Sequence, residues 1–263
     1  MSLIDKEKYT SFIRDEDTKL FITQNLSKLE GVLRTFDIRY TDFMDPYRQK
    51  VFSSILNAFS DGVSYAAFGG IDSAERKLFA VYPYYEVEVD NPLSAVRFEG
   101  NFSFEKISHR DCLGALMSLG LVREKIGDIY LCEDYFDVIS EQKLAHYIAA
   151  NLNKIRHTGV KGKIIPVSEI RPASVDYIYK DVFASSMRVD VVISSAFNLS
   201  RKISSSLCEN GRVKVDFEPV YSRTIQLVVG TLVSVRGYGR FKITALNGMT
   251  GKGKYRIKIG FYD

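Results

Sequence analysis

The side chains with the clearest chemical meaning are cations set at turns in the last third of the chain. Arg201 and Lys202 fall in the first turn of a helix for which Ser200 is the N-cap, where a positive side chain opposes the helix dipole and contributes nothing locally. Cations placed poorly for a helix suit the phosphates of a nucleic-acid partner. Further on, Gly237-Tyr238-Gly239-Arg240 reads as a turn between strands VSVR and RFKI that projects Arg236, Tyr238 and Arg240 together. A tyrosine between two arginines stacks on a base while the guanidinium groups take phosphates. A plain hairpin turn is the competing reading, and Lys252 and Lys254 on the next turn favour RNA.

The charge distribution points the same way. The 263 residues carry 36 Lys and Arg against 32 Asp and Glu, a net of only +4. From Phe183 onward there are 13 cations and 5 acids, a net of +8, which leaves −4 for residues 1–182. A basic end on a neutral or acidic body is the electrostatic footprint of a nucleic-acid-binding module, although a basic solvated face would give the same count.

Other chemistries find little support. His109, His146 and His157 are the three histidines, and none lies in a G-x-S-x-G or H-E-x-x-H context. His109 and His146 read as helix residues with structural roles, whereas His157, within KIRHTGVKGK, could equally meet phosphate. The glycines at 237, 239, 248, 251 and 253 lack the spacing of a phosphate-binding loop and no helix follows them. Cys112, Cys132 and Cys208 are odd in number and widely spaced, which argues for reduced thiols and against a zinc site. No catalytic residue, metal, cofactor or small-molecule substrate is therefore expected. There is no apolar run of about 18 residues to span a membrane, and the polar start MSLIDKEKYTSFIRDED has no signal-like segment, so a cytoplasmic location is expected.

The elements that must position these residues follow from periodicity. Residues 5 to 60 are expected to be helical, with Asp45-Pro46 opening a helix at its first position. Strands are expected at 63–68 and 77–83, then a β-α-β-β-α-β series: 95–100, a helix at 108–120 capped by Ser108 and closed by Gly120, strands at 128–131 and 135–138, a helix capped by Ser140, and a strand at 160–167. That order is the ferredoxin-like arrangement, without the aromatic RNA-reading strand motif of the commonest RNA-binding domain of this shape. Any RNA contact of this unit would then use basic loops. A linker from Ser168 to Asp181 leads to a helix striped by Val189, Val192, Ile193 and Ala196, a second helix with Ile203 and Leu207 on one face, and Asn210-Gly211 at its end.

Arg188-Val189-Asp190, Ser200-Arg201 and Asn210-Gly211-Arg212-Val213 together resemble the alpha-L motif of the ribosomal protein S4 type RNA-binding domain, found in ribosomal proteins, pseudouridine synthases and tyrosyl-tRNA synthetases. FMDPYRQ at 43–49, FGG and AERKLFAVYP within 68–83, HRDCLGALMSLGLVREKIGDIYL at 109–131 and VSVRGYGRF at 233–241 are similar to the YlmH-like family of bacterial proteins over nearly the whole chain. This resemblance implies an α+β protein with a helical part at 1–61, an RRM-like middle domain at 62–181 and an S4-type domain at 182–263. It also implies a non-catalytic factor that binds the large ribosomal subunit through rRNA and tRNA in quality control of stranded peptidyl-tRNA. An RNA-modifying enzyme centred on His109, Arg110 and Asp111, or a cell-division-linked interaction protein, are the alternatives. By position, the resemblance assigns Arg188, Ser200, Arg201, Lys202, Arg212 and Lys214 to the RNA face. Asp216 departs from the neutral residue many such domains carry there and would weaken phosphate contact locally.

Overall fold

The computed structural model describes residues 3–86, 88–102, 107–171 and 177–262. The α+β chain forms two compact units, Met1–Ala173 and Ser174–Asp263. Positions 172–176 of the expected linker, including Pro172, lie outside the described residues.

The first unit opens with α1 (Lys6–Thr10), α2 (Glu16–Thr35), β1 (Arg39–Tyr40), α3 (Pro46–Asn57), β2 (Val63–Phe68) and β3 (Leu78–Pro83). The Asp15 carboxylate caps α2 by accepting from the Thr18 N–H, and Asp45 caps α3 by accepting from the Arg48 N–H, with Pro46 in the first turn. Ile22, Leu26 and Leu29 of α2 and Phe52, Ile55 and Leu56 of α3 bury against Val63, Phe79 and Val81 of an antiparallel sheet of order β1-β3-β2. The strands anticipated at 63–68 and 77–83 thus complete the core beneath the helices.

There follow β4 (Leu93–Gly100), α4 (His109–Ser118), β5 (Ile126–Leu131), β6 (Tyr135–Glu141), α5 (Gln142–Asn151), β7 (Lys154–Ile155) and β8 (Thr158–Ile165). The sheet order β5-β6-β4-β8-β7, with antiparallel neighbours, is the ferredoxin-like connection expected from sequence. Cys112 and Leu116 of α4 and Ala145 and Ile148 of α5 cover the face made by Val96, Phe98, Phe136 and Val138. Position 162 must lack a side chain, because a Cβ there would lie 2.8 Å from the Phe98 ring and 2.9 Å from the Ala149 Cα. The capping box at Ser108 and Asp111 and the left-handed Gly120 bound α4 as expected. At α5 the N-cap is Glu141 instead of Ser140: Ser140 is buried near the end of β6, paired with Ser94 on β4 and Ile126 on β5, and its hydroxyl donates to the Glu141 carbonyl.

Ala95, Ile139 and Ile165, on the other face of this sheet, pack with Phe43 and Leu78 from the preceding layer. Arg76 crosses that seam, donating to the carbonyls of Ile126 at 3.1 Å and Phe43 at 3.0 Å, while Arg123 donates to Ile126 and Gly127 at 2.6 and 2.9 Å. Desolvation, with Arg76 beside it, pushes Arg123 down to about 10.

The second unit contains β9 (Tyr177–Ala184), α6 (Val189–Phe197), α7 (Arg201–Glu209), β10 (Val213–Val215), β11 (Glu218–Val220), β12 (Leu232–Val235), β13 (Gly239–Met249) and β14 (Tyr255–Tyr262). Its six strands are ordered β11-β10-β12-β13-β14-β9, so β9 pairs with β14 and spans the 181/182 position at which the last domain was expected to begin. Val189, Val192, Ile193 and Ala196 of α6 and Leu207 and Cys208 of α7 pack with Val213, Val233, Phe241, Ile243, Ile257 and Ile259 of the sheet.

One buried ion pair gives a stability test. On β4 and β6, Arg97 donates to both Asp137 oxygens at 2.9 and 2.8 Å, and the Asp137 side chain is 0% exposed. The guanidinium lies 4.1 Å from the Tyr135 ring centroid. Arg97→Met strands the carboxylate and is expected to lower stability by about 3 kcal/mol, seen as a lower urea midpoint at unchanged slope. An unchanged midpoint would show that Asp137 does not need its partner.

Candidate nucleic-acid interface

Local sequence rules build the helix pair. The N-terminus of α6 follows Arg188, and its C-terminus is closed by Asn198 in the left-handed region at φ 54°. Ser200 then caps α7, its hydroxyl accepting from the Ile203 N–H at 3.2 Å. The first turn of α7 holds Arg201 and Lys202 and no acid, so side-chain cations and the positive end of the helix reinforce one another. Gly211 follows at φ +65°, and a Cβ there would meet the Tyr221 ring at 2.7 Å.

A depression of about 650 Å³ opens where α7 meets the β12–β13 turn. It is lined by Lys202, Ile203, Ser206, Leu207, Arg212, Arg236, Gly237 and Tyr238, with no carboxylate or histidine among them. The Arg236 N–H donates to the Arg212 carbonyl at 2.9 Å, which ties the two arginine backbones together. Tyr238 is 45% exposed and its ring lies 5.7 Å from that of Phe197 in α6, so it is held from one side and open on the other. Among the described residues, Lys202, Arg212 and Arg236 form no ion pair. Ile203 is 45% exposed and joins Leu207 on the face expected from their spacing, but that face lines the depression in addition to the core.

The remaining expected site residues sit elsewhere. Arg188 makes a two-pronged bond to Asp190, 3.1 and 2.9 Å, and Asp190 also accepts from Ser205 at 3.3 Å. Ser200 serves as the cap, and Arg201 donates to the Ser185 hydroxyl at 3.0 Å. Lys214 pairs across strands with Ser234, which pairs with Arg240, so these residues share the sheet face turned away from α6 and α7. There the Arg240 guanidinium lies 4.0 Å from the Tyr262 ring centroid. Lys252 and Lys254 occupy the β13–β14 turn, the far end of an 11-residue strand from Arg236. At about 3.3 Å per residue this separates them by on the order of 30 Å. Asp216, in the left-handed region at φ 47°, accepts from the Leu232 N–H at 2.8 Å, so its acid secures the β10–β11 turn against β12.

In the first unit, Asp111 is committed to the α4 capping box, where its bonds with Ser108 hold its carboxyl below the usual range. Arg156 approaches it at 3.7 Å, which sets His157 and the β7–β8 turn near the start of α4. Burial pushes the Cys112 and Cys208 thiols up to about 12 and about 11, keeping both protonated at neutral pH. Among the described residues no helix is long and apolar enough to cross a membrane.

Fold and site together define an α+β protein with a ferredoxin-like domain and a basic helix-and-sheet unit. Residues 87–169 match the family model described as a putative RNA-binding domain in YlmH. The chain is 34% identical over 251 residues to the ribosome-associated protein quality control protein P2 of Bacillus subtilis (strain 168), covering 95% of this chain and 96% of the relative. It belongs to the YlmH-like family. The solved structure of the cell division protein ylmH from Streptococcus pneumoniae is similar in fold, with a TM-score of 0.51 at 21% identity over 59% of this chain and 94% of that one.

Arg188 offers a test of its own. Because it neutralises a carboxylate that is 5% exposed, Arg188→Ala is expected to destabilise the fold by about 2 kcal/mol in urea unfolding. Full stability combined with weakened RNA binding would place this guanidinium on the RNA instead.

Proposed function

We propose that the chain is a non-catalytic RNA-binding factor that associates with the large ribosomal subunit, through rRNA and tRNA, in quality control of stalled peptidyl-tRNA. The observation that carries this reading is the depression between α7 and the β12–β13 turn, where Lys202, Arg212 and Arg236 converge around Tyr238 with no acidic residue in the lining. Three cations along α7, Lys202 in its first turn and Arg212 and Arg236 beyond its C-terminal end, attract a phosphate backbone, and a half-open tyrosine ring accepts a base. The lining offers no acid and base to share a proton, which favours binding over chemistry. The name of the Bacillus subtilis relative supports a ribosomal setting, and the family model over 87–169 supports RNA as the partner of the first unit as well.

Co-sedimentation with isolated large subunits across a salt series tests this reading. Binding is expected to weaken steeply with salt, and the Lys202→Ala/Arg236→Ala double variant should flatten the log-log slope by roughly two. A folded double variant that binds with unchanged affinity and slope would remove the depression from the interface.

A further inference from the structure

The six-stranded sheet of the second unit carries helices on one face only, and its other face has an unusual composition. Strand register places Tyr177, Tyr179, Asp181 and Phe183 of β9 opposite Tyr262, Gly260, Lys258 and Arg256 of β14, and Gly260 opposite Lys242 of β13. Residues directly opposite one another point to the same side, and the alternate positions Val182, Ile257, Ile259 and Phe241 fill the core with α6 and α7. The outer face therefore gathers Lys214, Arg240, Lys242, Arg256 and Lys258 around a group of aromatic rings, with Asp181 as its acid among the described residues of these rows. Asp181 is paired with Arg256 at 2.9 Å.

The rings are arranged, not scattered. Tyr177 meets Tyr262 edge to face at 5.0 Å and lies tilted against Tyr179 at 5.9 Å. The absence of a side chain at position 260 lets the Tyr177 ring lie on the strand, since a Cβ there would come within 2.8 Å of it. Each end of the group has a cation against a ring: Arg240 at 4.0 Å from Tyr262 and Lys258 at 4.7 Å from Tyr179. Tyr179 and Phe183 remain 56% and 48% exposed. Large rings left half open on a sheet, flanked by cations, form a stacking platform for unpaired bases with phosphate partners beside it. Duplex RNA keeps its bases stacked inside and cannot use such rings.

We propose that this face binds a single-stranded segment of RNA, with a base stacked on Tyr179 and the adjoining phosphates held by Lys242 and Lys258. The platform lies on the side of the sheet opposite α6 and α7, so it is a second surface and does not depend on the depression binding RNA. Its occupant is set by the chemistry of the face: half-open π surfaces select unstacked bases, and a five-to-one excess of cations selects a polyanion.

The test is fluorescence anisotropy of the full chain with two probes, an unstructured oligouridine of about ten nucleotides and a fully paired RNA hairpin. Tyr179→Ala is expected to weaken oligouridine binding roughly tenfold, and Tyr179→Phe to restore it, because the stacking surface is kept. Lys258→Gln should weaken the same probe and reduce its salt dependence. Hairpin binding should be unchanged in all three, whereas Lys202→Ala/Arg236→Ala should show the reverse preference if the depression takes structured RNA. Circular dichroism of each variant separates loss of binding from loss of fold. Oligouridine binding that is indifferent to Tyr179→Ala in a folded protein overturns the proposal and leaves the face to a protein partner, and equal losses for both probes overturn the single-strand assignment.

Discussion

Phe241 and Phe261 have to meet Phe197 on the helix side of the second sheet, and much of that unit's surface follows from this contact. The three rings approach one another at 5.8, 5.5 and 5.9 Å and close the core beneath α6. Side chains alternate along a strand, so the neighbours Arg240 and Tyr262 are driven to the opposite face. Once there, with no helix above them, they are stable in water only because each has an apolar body and a polar tip. The cation–π contact between them satisfies the ring's face and holds the guanidinium without desolvating it fully. A single packing requirement thus decides which cations stand near α7 and which stand on the bare sheet.

The depression depends on a different constraint, the stiffness of its turn. Gly237 and Gly239 take φ of 89° and 113°, conformations that a side chain resists, and the Arg236 N–H is fixed on the Arg212 carbonyl. Backbone order of this kind costs its entropy during folding, before any ligand arrives. Phe197 then restrains Tyr238 from within, so what remains free is the outward ring surface and the ends of three long cationic side chains. Association with a phosphate backbone there, as proposed, would order few groups for the charge it neutralises.

Short-range features were legible in the sequence because they depend on neighbours in the chain. Asp45-Pro46, Ser108 with Asp111, and Ser200 cap their helices as their spacing implies, and Val189, Val192, Ile193 and Ala196 form the buried stripe of α6. The ferredoxin-like order was legible for the same reason: it is a succession of local signals. The division of the cations was not. Arg236 and Arg240 are four residues apart in sequence, yet one lines the depression and the other covers Tyr262 on the far side of the sheet. Strand register decides this, and register is fixed by long-range pairing of β12, β13 and β14. The acceptor role of Asp216 toward the Leu232 N–H was illegible on similar grounds, since it needs a partner 16 residues away.

The two units differ in what they do with the face of a sheet. In ferredoxin-like RNA-binding domains the face opposite the helices is where aromatic residues stack on bases. Here that face of the first unit is partly consumed: Ala95, Ile139 and Ile165 are buried against Phe43 and Leu78, and Arg76 and Arg123 stitch the seam through backbone carbonyls. What stays accessible near it is the Arg97–Asp137 pair under Tyr135, a neutralised group with little attraction for phosphate. Residues 1–182 carry a net charge of −4 against +8 for the rest of the chain, so RNA contact by the first unit would rest on local basic loops and not on its overall charge. The second unit has the opposite arrangement, with half-exposed rings and an excess of cations over acids on the sheet face turned away from its helices. With much of the first sheet's second face buried, the proposed stacking surface falls on the sheet of the second unit, where cations stand beside the rings.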